Sequence, residues 1–245
     1  MKKSALILAG ILLFSSGCSN ENKTPEADDK LSTFVKVGDY VAYDAGSWEE
    51  TDNDKTHLKS TPTKQGEFGG IHVGASKNDS TAETCYLEYH ADMNGWRVLK
   101  VEDDKVTLIH AGTPACYYHG LGDGYQSESV TNLNNFISTE FVNSEYASSA
   151  RSAECGDFFE DGTCEHASVG DLEDTTMYGV GGYYWLASTR VNVSLWFWSA
   201  YDEFFRGCND HTLGIRPVVE LKTDVLWTGE GDGQSSETAY QIKVK

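Results

Sequence analysis

The feature that most constrains the fold is a 23-residue aromatic stretch, YYWLASTRVNVSLWFWSAYDEFF, at positions 183–205. It contains nine of the aromatic residues of the chain. Successive side chains of a β-strand point to opposite faces, so Phe197 lies on one face of a strand here, and Trp196 and Trp198 lie on the other. Since both faces are apolar, either the strand is buried on both sides or one face is a binding surface.

Periodicity elsewhere predicts an α+β fold with mostly antiparallel sheet. The segment GWRVLKVEDDKVTLIHAG alternates apolar and polar residues on both sides of an acidic turn at Glu102–Asp104, which is typical of a β-hairpin. Further strands are predicted at Tyr183–Ser188, Leu195–Ala200 and Gly214–Leu221. The glycine-rich tail LWTGEGDGQSSETAYQIKV predicts two short strands around a turn.

One segment has the period of a helix instead. In SVTNLNNFISTEFVNSEYA, the apolar residues recur three and four positions apart, so that they share one helix face. These residues are Leu133, Phe136, Ile137 and Phe141. A weaker helical turn is predicted at Tyr146–Ser152, and the remaining connections are predicted to be long loops.

The N-terminus has the three-part layout of a secretory signal. Two lysines precede an apolar run that is shorter than the roughly 20 residues that span a bilayer, and small residues lead to Cys18. A cysteine directly after SSG resembles a bacterial lipoprotein signal, in which that cysteine becomes the lipidated first residue. We therefore predict a signal peptide at 1–17, a flexible polar tether at 18–33, a single domain at 34–245, and anchoring to a membrane of the cell envelope, inner or outer, with the domain facing outside the cytoplasm.

The mature chain is strongly acidic. The full chain has 19 Lys and Arg and 38 Asp and Glu, and removal of Lys2 and Lys3 leaves a net charge of 17 − 38 = −21. Such a charge disfavours binding to nucleic acid.

The cysteines other than Cys18 are disulfide candidates in an exported protein. We predict a bond between Cys155 and Cys164, since eight intervening residues with two glycines allow the ends to meet. A second bond is predicted between Cys85 and Cys116, on either side of the hairpin. Cys208 is then the odd thiol.

Four segments of the chain resemble a group of bacterial surface and phage-associated domains of the C-type-lectin fold: GWRVLKVEDDKVTLIHAGTPACYYHG, YASSARS, YYWLAST and GIRPVVELKTDVLWTGEGDGQSSETAYQI. They are also similar to the major paralogous domain of Fibrobacter and, more distantly, to formylglycine-generating enzymes. The resemblance covers Val35 to Ile242. It implies a C-type-lectin-like fold in which the stretch between YWLAS and GIRPVV forms the exposed ligand face.

On this basis we predict a binding surface for an extracellular protein or glycan. Its residues are Trp196, Trp198, Tyr201, Phe204, Arg206 and His211. The chain would then be a lipid-anchored adhesin-like or receptor-like protein. Two alternatives are a structural subunit of a surface appendage and a metal-dependent oxidase of the formylglycine-generating type.

No catalytic residue, cofactor or metal is predicted. Asn209 and Asp210 resemble the Asn-Asp pair that helps to hold calcium in sugar-binding lectins, but the Glu-Pro-Asn type loop that completes that site is missing. The sequence has no nucleophile elbow, zinc-protease motif or phosphate loop, and its histidines occur singly. Arg216 is predicted to be partly buried in the last strand, where a structural ion pair with an acidic partner is favoured over ligand binding.

The predicted anchor has a direct test. Cys18→Ser should move the protein from the membrane fraction to the soluble fraction, because the thioether that carries the lipid cannot form. Membrane fractionation of detergent-free extracts measures this. Unchanged partition of the variant would show that Cys18 does not hold the protein at the membrane.

Overall fold

The computed structural model describes residues 24–45, 61–66, 69–73, 95–119, 126–159, 162, 164, 183–190, 194–199, 204–208 and 211–245. For several strands, β9 and β10 below among them, the description is of the backbone. The strands are β1 Tyr40–Ala42, β2 Thr61–Gly66, β3 Gly69–Val73, β4 Trp96–Glu102, β5 Lys105–His110, β6 Ala115–His119, β7 Ala147–Ser152, β8 Tyr183–Arg190, β9 Ser194–Ser199, β10 Phe204–Cys208, β11 His211–Ile215, β12 Pro217–Leu221, β13 Val225–Trp227 and β14 Tyr240–Val244. The helix α1 spans Gln126–Glu140, and short 3₁₀ turns lie at Leu31–Thr33 and Cys155–Asp157.

These strands form two seven-stranded sheets. The first sheet has the order β13-β14-β1-β4-β5-β12-β7, and the second has the order β10-β9-β8-β11-β6-β3-β2. Pairing is antiparallel except between β1 and β14 and between β8 and β11. The predicted α+β class with mostly antiparallel sheet and one main helix is therefore confirmed for the described residues.

The β4–β5 hairpin is the best local match between sequence and structure. Val98 pairs with Leu108 and Val101 with Val106, and the chain reverses at Asp103 and Asp104. Both aspartates have positive φ, 46° and 68°. A two-residue turn with positive φ at both positions has the twist that closes an antiparallel hairpin, and aspartate tolerates that conformation better than most residues.

The main hydrophobic core lies between α1 and the first sheet. Leu133, Ile137 and Phe141 of the helical segment are fully buried against strand residues such as Leu108 and Val219. Full burial of one such side chain contributes about 1.5–3 kcal/mol. The spacing of these apolar residues in the sequence predicted both the helix and its buried face, and the structure confirms both.

The segment after the helix departs from the prediction. Ala147–Ser152 forms strand β7 and pairs with β12, so the weak helical turn predicted at Tyr146–Ser152 is wrong. Three of the six residues of ASSARS are serines, which are weaker helix formers than alanine and arginine, and pairing with the outer side of β12 supplies backbone hydrogen bonds to this segment. Ala147 and Ala150 are buried, and Ser148 and Ser149 are exposed.

A second core covers the opposite face of the first sheet. Val218 and Ile109 pair across β12 and β5, and their side chains point away from the face that holds Leu108 and Val219. They pack in one cluster with Tyr184, Leu186 and the two cysteines of the 155–164 loop. Both faces of the central strands are therefore covered, one by the helix and the other by this loop and β8.

The loop of the second core is closed by the predicted pair of cysteines. The Cys155 and Cys164 sulfur atoms are at bonding distance, with their Cα atoms 5.5 Å apart. Arg151 fixes the start of the loop, since its guanidinium donates two hydrogen bonds to the Asp157 carboxylate, of 2.7 and 2.6 Å. Cys85 lies outside the described residues, and for Cys116 and Cys208 the description is of the backbone, so the second predicted pairing stays a prediction.

We expect the double substitution Cys155→Ser and Cys164→Ser to lower the free energy of unfolding by about 2–3 kcal/mol, because the reduced chain regains the entropy of an open nine-residue loop. Urea denaturation measures the loss, and Cys208→Ser is the matched control. A non-reducing peptide map that shows Cys155 as a free thiol would contradict the pairing.

Candidate functional site

The two sheets are joined where two pairs of strands run from one into the other. Residues 111–114 separate β5 from β6, and Arg216 alone separates β11 from β12. The position of the second sheet relative to the first therefore depends on the conformation of the chain at these two connections.

Arg216 lies at the centre of this junction and is fully buried. Its Nε donates a hydrogen bond of 2.9 Å to the His110 carbonyl oxygen. Its guanidinium carbon lies 5.3 Å from the centre of the Tyr184 ring, and its Nη1 is 3.5 Å from the Tyr184 hydroxyl. One side chain at the β11–β12 bend thus contacts the end of β5 and strand β8, which supports the predicted structural role of Arg216. The predicted acidic partner stays a prediction.

His110 is part of the same buried group. Its Nδ1 accepts a hydrogen bond of 3.0 Å from the Gly112 backbone N–H, and its ring makes an edge contact with Trp96 at 5.2 Å between centroids. A neutral histidine whose Nδ1 accepts a hydrogen bond carries its proton on Nε2. These contacts hold the ring in place within the buried group.

The predicted ligand face lies in the second sheet. The register of β8, β9 and β10 forms two rows of paired positions, Tyr184–Trp198–Phe205 and Trp185–Phe197–Arg206. Paired positions lie on the same face of a sheet. Tyr184 and Trp185 are both fully buried, Tyr184 in the second core and Trp185 in the main core. Strand β8 is therefore buried on both faces, and each row continues outward through β9 to β10.

The six predicted ligand residues do not all lie on one face of the second sheet. Trp196 and Trp198 occupy one face of β9, whereas the register places Phe204 and Arg206 on the face of Phe197. Phe204–Cys208 is a strand and β11 begins at His211, whereas the sequence predicted only loop between the strands Leu195–Ala200 and Gly214–Leu221. Tyr201 lies outside the described residues, and the exposure of the other five side chains stays a prediction.

A cleft that the sequence did not suggest lies beside the end of β1. Its volume is about 490 Å³, within the usual range of ligand pockets of roughly 300–1,000 Å³. It is lined by Tyr40, Val41, Ala42, Tyr43, Asp44, Gly95, Trp96, Ser236, Glu237 and Ala239. Three segments that are distant in the sequence meet here, so no local motif could have revealed it.

The rim of the cleft carries negative charge and its walls are aromatic. Asp44 and Glu237 are exposed, and Tyr43 and Trp96 are buried side by side with ring centroids 5.1 Å apart. The pKa of Glu237 is lowered by hydrogen bonds from its own backbone N–H and from the Ser235 hydroxyl, which favours the carboxylate form. This electrostatic pattern disfavours anionic ligands.

The Tyr43 hydroxyl fixes the position of one wall of the cleft. It donates a hydrogen bond of 2.8 Å to the Phe141 carbonyl and accepts one of 2.7 Å from the Asn143 backbone N–H. It therefore ties the end of β1 to the end of α1. Burial raises the pKa of Tyr43 to about 12, the Asn143 hydrogen bond opposes this increase, and the Asp44 charge adds to it.

The Asn-Asp pair that resembles a lectin calcium pair falls between β10 and β11. Asn209 and Asp210 lie outside the described residues. Within the described part of the chain, no group of three or more His, Cys, Asp or Glu side chains is placed to hold a metal ion. In the same part, no helix has the length and apolar character needed to cross a membrane.

Comparison with known proteins gave no match: no family model, no curated sequence and no solved structure is significantly similar to this chain. The functional interpretation therefore depends on the geometry above and on the sequence.

The raised pKa of Tyr43 predicts a pH dependence of stability. The folded-state pKa of about 12 lies above the unfolded value near 10, so folding favours the protonated hydroxyl. The stabilisation is fully present below pH 10 and is lost as the pH rises from 10 to 12, by an amount on the order of 2–3 kcal/mol. Chemical denaturation at pH 9 and pH 11.5 measures this loss.

Tyr43→Phe is the control for this titration. It should lower the free energy of unfolding by about 1–3 kcal/mol at pH 9, because two backbone groups lose their partner. Its stability should then fall less than that of the wild type between pH 9 and 11.5. An equal fall in both proteins would show that the Tyr43 hydroxyl does not cause the alkaline loss.

Proposed function

We propose that this protein is a lipid-anchored component of the bacterial cell envelope. In this proposal, its single C-type-lectin-like domain binds an extracellular protein or glycan. The signal-like N-terminus and Cys18 support the anchor. The disulfide-bonded pair Cys155 and Cys164 supports export, since such bonds persist in oxidising compartments. The α+β architecture and the resemblance of YWLAS and GIRPVV to lectin-fold domains support the fold assignment.

The observation that carries the binding proposal is the pair of aromatic rows across β8, β9 and β10. The inner residues of both rows are buried and fix the strand β8 firmly in the two cores. The outer strands continue the rows with Trp198, Phe197 and Phe205 from a rigid base. On the Trp198 face, the aromatic row on a rigid scaffold has the composition of an interface hot spot, whereas Arg206 lies on the opposite face with Phe197.

The ligand surface is assigned to the face of β9 that carries Trp196 and Trp198, together with residues near it. Two exposed indoles would present about 300–500 Å² of ring surface, as large as the biggest apolar patch of a typical monomer. The strongly negative charge of the domain would keep such a surface soluble before a partner binds.

Trp198→Ala and Phe197→Ala are matched substitutions at adjacent positions on opposite faces of one strand. Trp198→Ala should weaken ligand binding about 30-fold, the effect of a 2 kcal/mol hot spot, with little change in melting temperature. Phe197→Ala should cost about 3–5 kcal/mol of stability, as expected for a buried aromatic residue. The unlipidated chain 19–245 would first be screened against glycans and extracellular proteins, and affinity and melting temperature would then be measured for each variant.

Two results would contradict the proposal. If both variants lose several kcal/mol of stability, β9 is buried on both faces and presents no ligand surface. If Trp198→Ala retains the wild-type melting temperature and binds every captured ligand with wild-type affinity, this face of β9 is not the binding site.

A further inference from the structure

The cleft beside the end of β1 is open because small side chains line much of it. Ala42, Gly95 and Ala239 contribute no atom beyond Cβ, and Ser236 adds only a hydroxyl group. Alternation along β1 sends Tyr43 into the main core, whereas Ala42 packs against a separate small cluster that contains Ala239. The cleft therefore has a wall of small, mostly apolar residues, and it leaves about 490 Å³ for a ligand.

The loop at 233–238, which supplies part of the cleft, is fixed before any ligand binds. The Tyr40 backbone N–H donates a hydrogen bond of 2.8 Å to the Gly233 carbonyl, which joins the loop to β1. Within the loop, the Gly233 N–H donates to the Thr238 carbonyl at 2.9 Å, and the Thr238 N–H donates to the Ser235 carbonyl at 3.2 Å. A preformed loop loses little conformational entropy when a ligand binds beside it.

Aromatic packing supports the same loop from outside the cleft. Gly233 has a φ of 71°, and a Cβ atom at this position would collide with the Tyr240 ring, so that only glycine fits. The Tyr240 ring makes edge contacts with Phe34 and Trp227, at 5.3 and 5.9 Å between centroids. The loop therefore rests on an aromatic cluster that includes side chains of β13 and β14.

The charges of the cleft have a single sign. Among the residues that line it, two are charged and both are acidic, Asp44 and Glu237, and both are exposed. Arg97 lies over the ring of the lining residue Tyr40 at 5.2 Å, but it donates a hydrogen bond to the Gly38 carbonyl and does not line the cleft. Charge of one sign beside apolar walls attracts ligands of the opposite charge.

The lining favours an organic cation over a metal ion. A calcium ion takes about six to eight oxygen ligands, whereas most of the lining residues are apolar or aromatic. In the described part of the chain, no three His, Cys, Asp or Glu side chains are grouped to hold a metal. An aliphatic stem would cover the Ala42 and Ala239 methyl groups while its charged end stays near the carboxylates at the rim, as lysine side chains do on apolar surfaces.

We propose that the cleft is a binding site for a primary ammonium group carried on an aliphatic stem. The ammonium group would lie beside Asp44 and Glu237, and the stem would lie against Ala42 and Ala239. Two sources have this chemistry, a lysine side chain of a protein and a free alkyl diamine. The site uses neither the aromatic strands β9 and β10 nor a lipid on Cys18, so it does not depend on the proposed function.

An NMR titration of the full-length protein in an uncharged detergent, with isotope-labelled alanine methyl groups, tests the site. The probes are the peptide acetyl-Gly-Lys-Gly-amide, the same peptide with its lysine acetylated, and cadaverine. Acetylation removes the charge and keeps the stem. The lysine peptide should shift the Ala42 and Ala239 signals saturably. The acetylated peptide should bind about fivefold more weakly, because it loses the attraction of the exposed carboxylates.

Two double variants separate the cleft from the overall charge of the domain. Asp44→Asn with Glu237→Gln should weaken binding of the lysine peptide about fivefold and leave binding of the acetylated peptide unchanged. Asp103→Asn with Asp224→Asn removes the same charge from exposed positions that do not line the cleft. This control should stay within about twofold of the wild-type affinity, since exposed charges outside the cleft are largely screened.

Each outcome of the titration decides the proposal. Saturable binding of the lysine peptide assigns the site to lysine side chains, and binding of cadaverine alone assigns it to free amines. The absence of shifts at Ala42 and Ala239 with both probes would overturn the proposal, as would equal affinity for the lysine peptide and its acetylated form. An equal loss of affinity in the two double variants would show that the net charge of the domain, rather than the cleft, attracts the amine, and would overturn it as well.

Discussion

The structure depends on one buried guanidinium at the junction of its two sheets. Desolvation of an arginine costs several kcal/mol unless hydrogen bonds and favourable electrostatic contacts replace water. For Arg216, the hydrogen bond to the His110 carbonyl and the contacts with the Tyr184 ring and hydroxyl offset part of this desolvation cost. Because it contacts the ends of strands from both sheets, a loss of this side chain would affect the position of one sheet against the other rather than a single local contact.

The residues around Arg216 explain why the junction bends where it does. Pro217 follows directly and begins β12, at a strand start where the absence of a backbone N–H is tolerated. The Ala153 N–H donates to the Arg216 carbonyl at 2.9 Å, and the Ala187 N–H donates to the Ala153 carbonyl at 2.7 Å. The disulfide-bonded loop and β8 thereby connect to the same bend, so the second core and the junction form one unit.

Local sequence patterns predicted the elements that have one buried face and one face that is not buried. Strand β4, the first half of β5 and α1 follow directly from alternation and from the three-and-four spacing of apolar residues, since there one face is buried and the other is not. Strand β7 was missed because its small residues have no clear period, and its pairing with β12 is a tertiary interaction. The rows across β8, β9 and β10 could not be predicted, because register is fixed by neighbouring strands and is invisible within any one strand.

The candidate sites also differ in how far the sequence alone revealed them. The aromatic stretch at 183–205 was visible in the sequence because its composition is unusual, and the structure adds the pairing of its positions. The cleft was invisible, since Tyr43, Trp96 and Glu237 come from three distant segments and each is ordinary in its local context. The pairing of residues 28–30 with β13 was hidden by the polar composition of this segment, in which Leu31 is the one residue whose apolar character indicates burial.

The central claim is that Arg216 fixes the second sheet to the first, and hydrogen exchange of Arg216→Lys tests it most directly. Lysine keeps the charge but lacks the planar guanidinium that contacts His110 and Tyr184 together. The account predicts that backbone amides of β6, β8 and β11 exchange faster than in the wild type, whereas amides in the centre of the β4–β5 hairpin keep their protection. Wild-type exchange rates in both sheets of the variant would contradict the claim.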